Sequence, residues 1–149
     1  MTVTITRLSP DVPLPAYGTA GAAAFDLAAA AETVVPPRGI ALIPTGLVVR
    51  VPAGHFLAIL ARSSTPLKRG LMVANGVGVV DSDYCGPADE VKIQVLNVTD
   101  QPVTVAAGDR IAQGMVLGAP RVTFVESTVA DGPSLGIAEA QAAGVGVGA

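Results

Sequence analysis

The chain has a single cysteine, Cys85, so it can form no internal disulfide, and nothing in it calls for an oxidising compartment. It also has a single histidine, His55, set between Gly54 and Phe56 with no partner at metal-ligand spacing, so it reads as structural. No apolar run approaches the ~20 residues that cross a bilayer, and residues 1–7 lack the charged-then-apolar pattern of a signal peptide. The expectation is a cytoplasmic protein without a membrane partner. Charge is scarce as well: charged residues make up 14%, and the net charge is −3. A nucleic-acid polymer would need a basic face, so it is not an expected partner; a small polyanion held by a few local cations fits better. No Lys or Arg follows Arg121, and no aromatic residue follows Phe124. The stretch beyond Phe124 therefore offers neither a cationic nor an aromatic side chain.

What the chain does have is apolar residues, at 50%, broken up by 17 glycines and 12 prolines. That mixture suits many short strands joined by tight turns. At 149 residues it is long enough for one domain with a real core. So few charges on so apolar a chain also point to surface hidden by self-association. Strands are expected over residues 2–8, 39–44, 46–52, 55–61, 71–74, 91–97, 103–106, 110–117 and 122–125. Residues 22–32 are alanine-rich, yet lie between glycine and proline breaks, and are read as extended. In 91–97, Val91, Ile93 and Val95 alternate with Lys92, Gln94 and Leu96, as a half-buried strand does. One short helix is expected over 63–70, with a serine cap, Pro66 in its first turn, Lys68 and Arg69 near its end, and Gly70 as terminator.

Three polar clusters interrupt this apolar pattern. Residues 75–86 read Asn-Gly-Val-Gly-Val-Val-Asp-Ser-Asp-Tyr-Cys-Gly, which suggests a hairpin turning at Asn75-Gly76. Its valine pair leads to Asp81, where apolar walls could aim a carboxylate at a water molecule. Arg62-Ser63-Ser64 gathers a guanidinium, two hydroxyls and the N–H groups of a helix start, the donors a phosphate ester needs. Residues 108–113 read Gly-Asp-Arg-Ile-Ala-Gln, a turn into a strand; taken alone, Asp109-Arg110 suggests a structural ion pair, and Gln113 is a polar residue in an apolar run.

In their order and spacing these clusters resemble the homotrimeric deoxyuridine triphosphatases (dUTP pyrophosphatases, dUTPases). Of that family's five short motifs, the first is similar to Ala24-Phe25-Asp26-Leu27, the second to Arg62-Ser63-Ser64, the third to Asn75 with 81–86, and the fourth to 108–113. The resemblance covers residues 2 to about 125 and implies an all-β fold. That fold would be a dUTPase-like β-sandwich or distorted jelly-roll barrel of short strands with one short helix, assembled as a homotrimer with shared active sites. It implies a β domain over 1–125 and a carboxy-terminal arm over 126–149. Two departures stand out: residues 85–90 form a slightly longer connection than usual, and the fifth motif, an Arg- and aromatic-containing Gly-rich tail, is not recognisable.

The resemblance further implies hydrolysis of dUTP to dUMP and pyrophosphate, with Asp81 as general base. Arg62, Ser63, Ser64 and Gln113 would line the phosphates, with Asn75, Gly78 and Val80 at the uracil and Tyr84 against the deoxyribose. Asp26 would hold Mg2+, through water. Two rivals share parts of this pattern. One is the same-fold dCTP deaminase, whose acidic pattern in the hairpin differs. The other is a weak or inactive nucleotide-binding regulator, which the missing fifth motif would suit.

Overall fold

The structure is a computed structural model that describes residues 1–126; the expectations placed on 127–149 lie outside the described residues. Eleven strands and one helix follow in the order β1 (Thr4–Arg7), β2 (Phe25–Ala28), β3 (Thr33–Val35), β4 (Ile40–Pro44), β5 (Leu47–Arg50), β6 (His55–Ala61), α1 (Ser64–Arg69), β7 (Leu71–Val73), β8 (Gly78–Val80), β9 (Lys92–Asn97), β10 (Val103–Val105) and β11 (Arg110–Gly118). All pairings are antiparallel. The largest sheet has the order β2-β11-β6-β8, and a second runs β4-β9-β7; β1 pairs with β5, and β10 with β3. Leu27, Leu57 and Ile111 from the first sheet meet Ile43, Leu71 and Ile93 from the second in one buried core. No helix among the described residues is long and apolar enough to cross a membrane.

The alternation in β9 is as expected: Ile93 and Val95 are buried while Lys92 is exposed. Within the alanine-rich segment 22–32 only Phe25–Ala28 form a strand, where Phe25 and Leu27 alternate inward and β11 holds them against the helical propensity of alanine; the flanking residues are bends and irregular backbone. Asn97 is the notable buried polar residue. Its amide donates to the carbonyls of Val35 and Gln101, and its oxygen accepts from the backbone and hydroxyl of Thr99, so none of its capacity is wasted.

Four expectations are corrected. The turn at Asn75-Gly76 is real, with Gly76 at φ 71°, but it makes no hairpin: β7 pairs with β9 and β8 pairs with β6, so the turn carries the chain between two sheets. Local turn chemistry cannot tell a hairpin from a sheet-crossing turn, because pairing is decided by distant strands. Residues 122–125 form no strand; Val122, Phe124 and Val125 are exposed, with no partner strand among the described residues. β3 was absent from the expected set, since three residues beside Pro36 leave too short a pattern to register. Ser63 does not cap α1 through its side chain, because its own backbone is already helical. The helix end is as expected, with Gly70 left-handed at φ 63° and its N–H on the Pro66 carbonyl.

The connection over 85–90 closes on itself. The Asp89 carboxylate accepts the Gly86 N–H at 2.7 Å, and Glu90 accepts the Gly46 N–H at 2.8 Å. The loop change is therefore anchored at both ends.

Gly114 decides the packing of β11 on β2. A Cβ there would lie 2.4 Å from Phe25 Cε2 and 3.1 Å from Leu57 Cδ1, both buried. The rigid ring has no room to retreat, so Gly114→Ala should destabilise the fold by about 1–3 kcal/mol. Urea unfolding should show it as a lower midpoint at unchanged slope.

Candidate active site

The end of β6, the middle of β2 and the start of β11 converge on one cleft. In register, Gln113 on β11 faces Asp26 on β2 and Leu60 on β6, and Arg62 to Ser64 follow directly from β6. The result is a cleft of about 310 Å3 lined by Asp26, Arg62, Ser63, Ser64, Arg110 and Gln113. Asp26 is the hub: its carboxylate accepts from Arg62 Nε at 2.8 Å and from Arg110 Nη1 at 3.1 Å. Arg62 also donates to the Arg110 carbonyl, and Gln113 Nε2 donates to the Ala61 carbonyl at 2.9 Å. One carboxylate thus holds two guanidiniums beside two hydroxyls, leaving a net positive cradle suited to an anion with several oxygens.

A second set of contacts fixes the loop that carries Arg62, Ser63 and Ser64. Buried Thr65 donates its hydroxyl to the Ile111 carbonyl at 3.0 Å, pinning the start of α1 to β11. At the other end of α1, Arg69 Nη1 meets Asp109 Oδ2 at 2.6 Å, and the same carboxylate oxygen accepts the Ala106 N–H. The hydrogen bond from Arg69 holds the Asp109 carboxyl below the usual carboxylate range. So Asp109 is structural, as its residue type suggested, but its partner is Arg69 and not its neighbour Arg110. Sequence reasoning missed Thr65 and Arg69 in these roles. Each reads as an ordinary helix residue, and only the fold brings β11 against α1.

The residues of the third cluster stand apart from this cleft. Gly78 is buried against Ile59, where a Cβ would come to 3.0 Å of the Ile59 Cβ; Val80 is half-buried; and Asn75, Asp81 and Tyr84 are exposed. None of them lines the cleft. β8 runs antiparallel to β6 with Val80 opposite Leu57, so Asp81 leaves the sheet near Phe56, at the far end of β6 from Arg62. Six residues of strand at ~3.3 Å each put the two about 20 Å apart within one chain. The chain therefore carries two separate polar regions: a cleft with two paired arginines, and a turn with an exposed acid.

The antiparallel β-sheets with a polar cleft at the end of β6 define an all-β protein with a candidate anion site. The chain belongs to the dUTPase family, whose sequence pattern matches residues 11–131. It is 43% identical over 116 residues to the deoxyuridine 5'-triphosphate nucleotidohydrolase of Wolinella succinogenes, covering 78% of this chain and 76% of that one. Its fold is similar to the crystal structure of the Streptococcus mutans dUTPase, with a TM-score of 0.75 and 33% identity over 83% of this chain and all of the other. A more distant structure, the dUTPase of the Staphylococcus aureus phage phi11, shares the fold at a TM-score of 0.72 and 20% identity, over 86% of this chain and 99% of that one. That structure is of an aspartate-to-asparagine mutant and reveals the coordination of a structural Mg(II) ion in that protein.

The Arg69–Asp109 pair should be measurable in solution. Asp109→Asn is expected to lower stability at pH 7 by about 1 kcal/mol, a modest figure because water still reaches the pair. A carboxyl held low in the folded state adds stability above its unfolded value of ~3.9, and that stability is lost as the pH falls through the lower folded value. Denaturation at pH 7 and again at pH 3 should show the gap between variant and wild type closing in acid.

Proposed function

We propose that the protein hydrolyses dUTP to dUMP and pyrophosphate, in sites that each combine the anion cleft of one copy with the turn of another. The convergence of Arg62, Ser63, Ser64 and Gln113 around Asp26 in one cleft carries this reading. Those four residues hold the phosphate chain and place its α-phosphorus for in-line attack, an effect of position and charge. Asp81 orients the attacking water and takes its proton, and its exposed position leaves the carboxylate open to that water.

Uracil recognition falls to the turn and β8. β8 is the outer strand of its sheet, so half of its backbone groups face away from β6 and are free to hydrogen-bond a base edge. Asn75 and the backbone of Gly78 and Val80 pair with uracil, while cytosine would leave buried donors facing donors. Tyr84, half-exposed beside Asp81, packs on the deoxyribose and leaves no room for a 2′-hydroxyl.

Among the described residues Asp26 is the one carboxylate lining the cleft, and no group of three or more potential metal ligands occurs among them. This suits Mg2+ held mainly by phosphate oxygens and water, and does not suit an all-protein cage. When bound there, the ion would neutralise charge on the phosphate oxygens. Asp26 would hold it through water, with its two arginines turning to the phosphates.

Self-assembly is supported by the ~20 Å between the cleft and Asp81 within one chain and by an exposed apolar face on the second sheet, and a homotrimer is the assembly the family resemblance implies. There Ile40 and Leu42 of β4 and Met72 of β7 flank Leu96 of β9, and the first three are about half exposed. A lone domain has little reason to present such a stripe to water.

Asp81→Ala should reduce pyrophosphate release from dUTP about 10²–10⁴-fold, and an undiminished rate would remove Asp81 from the chemistry. Sites shared between copies make a second prediction. Arg62→Ala and Asp81→Ala, each inactive alone, should regain part of the wild-type rate when dissociated and reassembled together, because mixed trimers rebuild some intact sites. Continued inactivity of mixed trimers would show that each site lies within one chain.

A further inference from the structure

A second cleft, of about 360 Å3, adjoins the first and shares Arg62, Ser64 and Arg110 with it. Its remaining walls include Lys68, Arg69 and Asp109, and they are almost wholly polar. Four of the nine Lys and Arg residues thus line one cleft, in a chain whose net charge is −3. Three of the four are committed: Arg62 and Arg110 bind Asp26, and Arg69 binds Asp109. Lys68 is exposed and has no carboxylate within 4.0 Å among the described residues. Four cations against the carboxylates of Asp26 and Asp109 leave a surplus of positive charge, which a bound polyanion would relieve.

We propose that this second cleft receives the terminal phosphate of the bound triphosphate, with Lys68 as the cation that grips it. The inference rests on the dUTP-hydrolase reading and deepens it. The first cleft holds the phosphate chain near Arg62, Ser64 and Gln113, and Arg62, Ser64 and Arg110 form the wall common to both clefts. A chain of three phosphates entering past Ser64 carries its outer end toward Lys68, while a monophosphate ends short of it. The cleft offers a base nothing to stack on, so its occupant is the anionic end of the ligand and not the nucleoside. Lys68 also lies on the exposed face of α1, free to follow a flexible phosphate.

The test compares wild type, Lys68→Ala and Lys68→Arg for binding of α,β-imido-dUTP, dUMP and inorganic triphosphate. Lys68→Ala should weaken the triphosphate analogue about five- to tenfold and leave dUMP unchanged, while Lys68→Arg keeps most of the affinity. Turnover of dUTP should show the loss in KM, with kcat largely retained. Unchanged analogue affinity in Lys68→Ala, or an equal loss for dUMP, would overturn the proposal. Inorganic triphosphate separates the two readings. If the wild type failed to turn over dUTP, the hydrolase reading would fall, yet Lys68-dependent binding of inorganic triphosphate would still support the cleft. Binding indifferent to Lys68 would count against it.

Discussion

Asp26 lies between Arg62 and Arg110, and the anion cleft depends on that arrangement. Two guanidiniums on one carboxylate repel each other, the more weakly because water reaches Arg110. The carboxylate offsets the repulsion and leaves both groups ordered at the cleft wall. It is supplied by β2, whose register against β11 sets Asp26 opposite Gln113. The close approach of Gly114 to Phe25 lets those two strands sit together. A packing contact inside the sandwich is thus continuous with the ionic cluster at its surface. Ordered arginines also lose less freedom when a ligand arrives.

The helix extends the same logic. α1 is six residues long and could not hold itself in water. Thr65 and Arg69 tie its two ends to β11 and to the turn before it, and the Arg62–Ser64 segment inherits that rigidity. The acidic turn after β8 has a different support, the packing of Gly78 on Ile59. Because the two supports lie at opposite ends of β6, one chain can order both regions without closing a complete site. Assembly then becomes part of the proposed chemistry, and the apolar stripe over β4, β9 and β7 is the surface offered for it.

Much of this was legible before any coordinates. The period-two pattern of 91–97, the glycine terminator of α1 and the strand 55–61 were read from local chemistry and stand as expected. Asp26, Arg62, Ser63, Ser64 and Gln113 were named from short motifs and line one cleft, whereas Gly18, Thr19 and Ala22 line it too without any motif pointing to them, and Arg110 was read only as a structural ion-pair residue. What escaped reading has a common cause. β3 is too short for its pattern to register; the turn at Asn75-Gly76 looks like a hairpin because its local signals are the same; and Thr65 and Arg69 have partners more than 39 residues away.

By itself the sequence determined which residue types are present and where chain direction, burial period and turn propensity change, because those effects act over a few neighbouring residues. It therefore also determined the family. Only the tertiary structure decided who pairs with whom: that Asp109 meets Arg69, that Asp26 bridges two arginines, and that Asp81 lies far from Arg62 in its own chain. Charge pairs and strand partners are chosen by distance in space, and β-sheet topology sets that distance with little regard for separation along the chain.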